Sequence, residues 1–162
     1  AILMRMGIYS DKVHDVKDIP DGATIAIPND PTNGGRGLLL LQRAGLLKLK
    51  DGVGMKATPK DVVDNPKHLK FKELEAAQLP RSLADIDAAA ITMNYVMSGG
   101  LDVKKQNIFL EPKDEPLAVM IIAARNKDKD KEAYKAFVKA YQSEAVKKFI
   151  ADKYKGTIEP AF

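Results

Sequence analysis

The sequence predicts an α/β fold, with a mostly parallel sheet and helices on both of its faces. Short apolar runs typical of buried strands alternate with segments whose apolar residues recur at helical spacing. Turn signals such as Pro20-Asp21-Gly22 separate these segments. The alternation favours parallel pairing, because a helix that follows a strand returns the chain to the end of the sheet where that strand began.

The predicted strands are short and mostly apolar. Those of the sheet are expected at residues 6–9, 24–27, 69–74, 86–92 and 107–110. The longest apolar run, residues 117–124, predicts a further buried strand. This run is far shorter than the roughly 20 apolar residues that a membrane-spanning helix needs.

Helices are predicted between and after these strands. One runs from about residue 32 to residue 44 and carries four consecutive leucines, Leu38 to Leu41, which indicates burial on more than one face. Two more close the chain, and the second begins at Ser143 as its N-cap and ends at Gly156. The aromatic residues of these last helices recur at helical spacing and are expected in the core: Tyr134, Phe137, Tyr141, Phe149 and Tyr154.

Composition and charge exclude several classes of function. The chain has 162 residues, which suits one domain, or one lobe plus part of a second. Its net charge of +4 comes from basic residues that alternate with acidic ones, and it contains no Trp. Nucleic-acid binding is therefore not expected, because neither a basic stripe nor an aromatic stacking platform is present. The absence of cysteine excludes disulfides, thiolate catalysis and cysteine-based metal sites.

The sequence contains no recognisable catalytic, metal or cofactor motif. His14 and His68 lie far apart and are expected at the surface, so no metal site is predicted. Gly34, Gly35 and Gly37 follow neither the phosphate-loop spacing nor the dinucleotide spacing, and no cofactor is expected. No serine lies in a nucleophile elbow, and no nucleophile is matched with a base, so the chain is not predicted to be an enzyme.

The best candidate for a binding site is the turn at residues 28–36, where a strand ends and a helix begins. Ligands of open α/β sheets bind at such points, and the N–H groups of a helix start favour an anion. Gly34 and Gly35 are expected to let a ligand approach the backbone, and Arg36 is expected to grip a carboxylate with two bonds. The alternative is that the glycines only loosen the first turn and that Arg36 is solvated.

Several motifs in consecutive order carry a resemblance to a known family. They are Pro28-Asn29-Asp30-Pro31-Thr32-Asn33, Gly35-Arg36, Leu38-Leu39-Leu40-Leu41, Ala57-Thr58-Pro59-Lys60-Asp61, Phe71-Lys72-Glu73-Leu74-Glu75-Ala76, Gln78-Leu79-Pro80-Arg81-Ser82-Leu83 and Lys153-Tyr154-Lys155-Gly156. From about Met6 to Phe162 the sequence resembles the methionine-binding lipoproteins of ABC importers, the NlpA family.

The resemblance implies a fold of the periplasmic-binding-protein type (type II-like), present here as one lobe plus part of a second. Residues 12–107 resemble the second lobe, and residues 1–11 and 108–162 resemble the hinge strands and the C-terminal part of the first lobe, whose first half is missing. The implied function is the substrate-binding component of an ABC transporter, which takes up methionine or a related small amino acid or peptide. The implied place is the bacterial periplasm or cell surface, with a lipid anchor on an N-terminal cysteine that this chain lacks. The implied partners are the amino acid and an ABC permease.

The resemblance also carries site residues over, in part. Arg36 matches the arginine that would hold the ligand carboxylate, and Asn33 lies in the same turn. Two asparagines of the family are replaced, one by Thr92, with Asn94 two residues further on, and the other by Val119. Because valine offers no hydrogen bond, the exact ligand stays open. The alternative is a sensing or scaffold module of the same fold that binds a different small anion.

An incomplete first lobe has a further implication. The run at residues 117–124 and the apolar faces of the last two helices would be left partly uncovered. We therefore expect the chain to self-associate, with exchange of the C-terminal helices between copies, and to bind methionine poorly on its own.

Overall fold

The computed structural model describes residues 1–162 and divides into two compact units. Unit 1 comprises residues 1–5 and 113–162, and unit 2 comprises residues 6–112. The chain therefore passes between the units twice, after Arg5 and after Pro112. The assignment of these units to the lobes of a receptor stays a prediction.

The chain forms ten strands and six helices. The strands are β1 (Ile2–Leu3), β2 (Met6–Tyr9), β3 (Thr24–Pro28), β4 (Lys48–Leu49), β5 (Val62–Asp64), β6 (Lys70–Leu74), β7 (Ala88–Thr92), β8 (Asn107–Leu110), β9 (Val119–Met120) and β10 (Glu159–Pro160). The helices are α1 (Pro31–Arg43), α2 (Leu79–Ser82), α3 (Met93–Ser98), α4 (Val103–Gln106), α5 (Glu132–Tyr141) and α6 (Glu144–Tyr154). None of these helices combines the length and the apolar character needed to cross a membrane.

Unit 2 is built on a five-stranded sheet in the order β6-β3-β7-β2-β8. Strand β3 pairs in parallel with β6 and with β7, whereas β2 pairs antiparallel with both β7 and β8. All strands except β2 therefore run in one direction, which confirms the predicted mostly parallel sheet. Helices α1, α2 and α3 pack against its strands. Their division between the two faces stays a prediction.

The centre of this sheet is tightly packed because its central strand carries small side chains. All five residues of β7 are buried, as expected for a strand covered on both sides. The leucines of α1 are buried as predicted, with Leu38 and Leu41 fully enclosed and Leu39 half-buried. A Cβ atom at Gly37 would lie 3.3 Å from the Cβ of Ala90, so α1 lies very close to the sheet.

The strand predicted at residues 117–124 is largely wrong. Residues Pro116–Ala118 form a 3-10 turn, and only Val119–Met120 pair as a strand, at the edge of the small sheet β10-β1-β9 in unit 1. Ile121 follows with 76% of its surface exposed. The run is apolar throughout, but only Val119 and Met120 pair with a neighbouring strand, β1.

The last two helices form as predicted, but their aromatic residues do not form a core. Ser143 caps α6 with its side chain, and Ile150 on that helix is buried. Tyr134, Phe137 and Phe149 are 46%, 57% and 54% exposed, so their assignment to the core is wrong. Helical spacing identifies an apolar face, and it does not supply the element that would cover that face.

Candidate functional site

Several strands of the unit 2 sheet end side by side. The row of these strand ends forms one edge of the sheet. The carboxyl ends of the parallel strands lie there, namely Pro28 of β3, Thr92 of β7 and Leu110 of β8. Met6, at the start of the antiparallel β2, faces Thr92 at the same edge. Open α/β sheets bind ligands outside the carboxyl ends of their strands, so this edge is the candidate site.

The first turn of α1 lies at this edge and is capped by the chain itself. Asp30 is the N-cap, and its Oδ1 accepts the backbone N–H of Asn33 at 2.9 Å. The Asn33 side-chain Nδ2 donates to the same carboxylate, at 3.2 Å from Oδ1 and 3.1 Å from Oδ2. The negative charge that a helix start favours is therefore supplied by Asp30. Asn33 lies where the sequence predicts, but its amide is engaged with the cap.

Gly34 and Gly35 are required by the chain's own packing. A Cβ atom at Gly34 would lie 2.7 Å from the carbonyl oxygen of Pro28, and one at Gly35 would lie 2.1 Å from that of Met55. A cleft of about 280 Å³ lies beside this turn, and Arg36 is not among its lining residues. Gly34 and Gly35 also line this cleft, so the expectation that they let a ligand approach the backbone stays a prediction.

Arg36 forms a buried ion pair with Glu111. Its Nε donates to Oε1 of Glu111 at 2.8 Å, and its Nη2 donates to Oε2 at 2.5 Å, a bidentate arrangement. Each side chain is only 4% exposed. Glu111 Oε2 also accepts the backbone N–H of Met6 at 2.6 Å. The alternative that Arg36 is solvated is therefore wrong.

Glu111 was missed by the reasoning from sequence. It follows directly after β8, which ends at the same edge as β3 and β7. The sequence does contain a signal for Glu111, namely an acidic residue directly after a predicted strand. The carboxyl ends of parallel strands meet at one edge, so an acid after β8 can reach an arginine on the helix that follows β3. Use of this signal would have required the order of the strands in advance.

The other candidate residues lie in different settings. Thr92 is 8% exposed and directly precedes α3, opposite Met6 in the sheet. Asn94 lies in the first turn of α3 and is exposed. Val119 lies on β9 in unit 1, where it pairs with Leu3. The structure thus brings Arg36 and Thr92 to one sheet edge, where Glu111 binds Arg36 and the N–H of Met6, and Met6 lies opposite Thr92.

A second carboxylate, Asp87, lies at the opposite edge of the sheet, just before β7. Its Oδ2 accepts the backbone N–H of Thr24 at 2.8 Å, and its Oδ1 accepts from Lys12 Nζ at 3.1 Å. The Thr24 N–H, aided by Lys12, holds the pKa of Asp87 below its ordinary value, against the opposing effect of partial burial. This arrangement ties three segments together and faces away from the candidate site.

Metal chemistry finds no support in the arrangement of side chains. His14 and His68 are both exposed, as predicted, and no group of three or more His, Asp or Glu side chains could hold a metal ion. Unit 1 carries a larger cleft of about 650 Å³. Its lining combines apolar side chains of α5 and the preceding segment, Ile122, Tyr134, Phe137 and Val138, with lysines.

Comparison with known proteins decides the family. The whole chain, residues 1–162, matches the family model described as NlpA lipoprotein. This chain belongs to the NlpA lipoprotein family. The resemblance inferred from the motifs is thereby confirmed.

Relatives within the family are similar in sequence and in structure. A D-methionine-binding lipoprotein MetQ of Escherichia coli is 53% identical over 140 residues, which are 85% of this chain and 51% of that protein. The structure of a nutrient binding protein from Burkholderia cenocepacia bound to methionine has a TM-score of 0.92 at 47% identity, over 99% of this chain and 69% of that one. A periplasmic substrate-binding protein of an ABC transporter from Coxiella burnetii has a TM-score of 0.90 at 39% identity, over 99% and 67%. These structures confirm the periplasmic-binding-protein fold class.

The matches cover most of this chain but a smaller share of each relative. The chain is covered almost completely, yet it spans about half the length of the curated relatives it matches. What those relatives bind is therefore a property of longer chains.

Proposed function

We propose that this protein is the substrate-binding component of a bacterial ABC transporter and that it binds methionine or a related small amino acid. The observation that carries the proposal concerns Arg36. It is buried, it makes two hydrogen bonds to Glu111, and it lies at the sheet edge where ligands of this fold class bind. The names of its relatives, a D-methionine-binding lipoprotein and a transporter substrate-binding protein, support the same conclusion. The protein would act in the periplasm or at the cell surface, anchored by lipid, and deliver its ligand to an ABC permease.

In this proposal Arg36 holds the ligand carboxylate. A guanidinium has five N–H groups in a planar fork, and Glu111 engages two of its nitrogens. The Arg36–Glu111 pair carries no net charge, so it suits a zwitterionic amino acid better than an anion. The Asp30 carboxylate at the start of α1 also disfavours an anion there. Both features favour an amino acid over the alternative of a different small anion.

The remaining candidates would select the rest of the ligand. Thr92 would offer a hydroxyl at the same edge and Asn94 an amide on the first turn of α3, and Asn33 would offer its side-chain oxygen while its N–H groups hold Asp30. No covalent chemistry is proposed, because the buried polar groups at the edge form an ion pair and its hydrogen bonds, and the named relatives are binding proteins.

Arg36→Ala provides the test of this function. We expect binding of L- or D-methionine, measured by NMR titration up to millimolar ligand, to weaken at least about tenfold, because a charge-assisted bidentate contact is lost. Arg36→Lys should restore only part of the affinity, since an ammonium cannot make the planar fork. Arg43→Ala, at the far end of α1, is the matched control and should bind like the unsubstituted protein.

Thermal melting of each variant must accompany the titration, because Arg36→Ala leaves Glu111 buried and unpaired. A folded Arg36→Ala variant that binds methionine with unchanged affinity would remove Arg36 from the site. A titration with sulfate, acetate and phosphate tests the alternative function, a module of the same fold that binds a different small anion. That alternative requires one of these anions to bind more tightly than methionine.

We further propose that this chain associates with a second copy of itself through unit 1, by exchange of the C-terminal helices α5 and α6. The support is a group of exposed apolar side chains in unit 1: Ile121 and Ile122 follow the edge strand β9, and Phe137 on α5 lines the same cleft as Ile122. Exposed apolar residues beside a strand edge promote pairing with another chain.

A further inference from the structure

We infer that Glu111 is a positioning residue for the ligand: it fixes the plane and direction of the Arg36 guanidinium before the ligand arrives. The inference deepens the proposed function and rests on Arg36 being the carboxylate anchor. It concerns a residue that lies 75 positions away from Arg36 in the chain and joins it only through the fold.

The first step is the geometry of the pair. Both oxygens of Glu111 are engaged, Oε1 by Arg36 Nε and Oε2 by Arg36 Nη2, so the two planar groups are locked edge to edge. An arginine side chain held by one contact could still rotate about its long stem. Two contacts from one carboxylate fix the orientation of the guanidinium as well as its position.

The second step is that Glu111 is itself immobilised. Its backbone N–H donates to the carbonyl oxygen of Met6 at 3.0 Å, and its carboxylate accepts the N–H of Met6 at 2.6 Å. Met6 is fully buried and pairs with Thr92 on the neighbouring central strand. The orientation of Arg36 is thereby set, through Glu111, by the backbone of the inner strand β2.

The third step links this rigidity to binding. A flexible arginine would lose side-chain freedom when it grips a carboxylate, at a cost to affinity. Because Glu111 has already ordered Arg36, the proposed contact with a ligand carboxylate requires less ordering of the guanidinium. A purely structural ion pair would make no distinction between ligands with and without a carboxylate.

The experiment compares two ligands that differ only at the carboxylate. The probes are L-methionine and L-methioninamide, titrated by NMR into the unsubstituted protein and into Glu111→Gln and Glu111→Asp variants. In the unsubstituted protein we expect methionine to bind about ten- to hundredfold more tightly than the amide. In Glu111→Asp, which keeps the charge of the pair but has a shorter side chain, this ratio should fall at least about fivefold, because the carboxylate no longer reaches both Arg36 nitrogens.

Controls separate positioning from stability. Asp87→Asn removes a partly buried carboxylate at the opposite edge of the sheet and should leave the ratio unchanged. Glu111→Gln added to Arg36→Ala should not lower the ratio further, because its effect passes through Arg36. Glu111→Gln is the second variant and is used if Glu111→Asp fails to fold; removal of its negative charge alone would raise the ratio, so a fall in this variant counts for positioning.

The outcomes are distinguishable. A ratio that stays unchanged in folded Glu111→Asp, while Arg36→Ala abolishes it, overturns the positioning role and leaves the proposed anchor intact. A ratio that Arg36→Ala also leaves unchanged overturns the proposed anchor, and the inference falls with it. A Glu111 variant that weakens both ligands equally assigns the pair a structural role only.

Discussion

Single residues set how closely the segments around the candidate site approach one another. Gly35 allows the carbonyl oxygen of Met55 to approach the first turn of α1, and Gly34 does the same for Pro28. Arg36, next in the chain, turns the other way and pairs with Glu111. In one helical turn, the two glycines therefore allow close packing of backbone, and the arginine after them forms the buried ion pair.

Gly35→Ala tests this packing. A Cβ atom 2.1 Å from the Met55 carbonyl oxygen is not tolerated, and that oxygen belongs to the backbone, so a segment of chain must move. We expect a loss of about 3 kcal/mol in the free energy of unfolding, measured by urea denaturation. Gly37→Ala, whose Cβ would meet Ala90 at 3.3 Å, is the matched control and should lose far less. Equal stability of Gly35→Ala and the unsubstituted chain would contradict this account.

Arg36 could be predicted as a candidate site residue from the sequence, whereas its partner Glu111 could not. Arg36 was predicted because its residue type and its place, one turn into a helix that follows a strand, are local features of the sequence. Glu111 was missed because its partner is set by the order of strands in the sheet. The glycines were noticed, but their neighbours, and so their purpose, depend on segments distant in sequence.

Secondary-structure elements are held together at the other edge of the sheet by Asp87. Its carboxylate joins β7 to the first residue of β3 and to Lys12, and its carbonyl oxygen accepts the Ser10 hydroxyl at 2.6 Å. The pKa of this carboxyl is lowered, chiefly by the Thr24 N–H. A lowered pKa in the folded state means that the ionised form stabilises the fold, fully so above the unfolded pKa of about 3.9. The contribution disappears as the pH falls through the lower folded pKa.

Asp87→Asn should therefore destabilise the chain at neutral pH and not in strong acid. We expect a loss of about 1 kcal/mol at pH 7, since Asn can still accept from Thr24 but without charge. The difference from the unsubstituted chain should shrink as the pH falls below about 4. Urea denaturation across this range measures it, with Asp85→Asn, an exposed neighbour, as the control. A difference that stays constant with pH would show that the carboxylate charge has no part in it.

The two units differ in how completely they bury their apolar side chains. Unit 2 encloses a core that includes Ile8, Ile25 and Leu41, each with no exposed surface. Unit 1 buries few apolar side chains and exposes several large ones, among them Ile121 at 76% and Phe137 at 57%. Exposed apolar surface of this kind is typical of an interaction surface.

Self-association through unit 1 is the prediction at this scale. Light scattering should report a mass above that of a single chain, and Ile121→Lys or Phe137→Lys should weaken the association at least about tenfold, because a charge would enter the apolar contact. Val63→Lys is the control, since Val63 is 60% exposed but lies in unit 2. A monomer at all concentrations would contradict the proposal, as would an equal effect of Val63→Lys.

The class of the fold, the five strands of the unit 2 sheet and helix α1 could be predicted from the sequence alone, whereas the short strand β5 could not. Strand and helix periodicity, caps and turns are local, and neighbouring residues are enough to specify them. Only the tertiary structure decided that Glu111 pairs with Arg36, that backbone fills the space beside Gly35, and that Phe137 lies exposed. The physical reason is common to all three: what a side chain touches depends on which distant segments the fold brings beside it, and hydrophobicity along the chain does not encode that order.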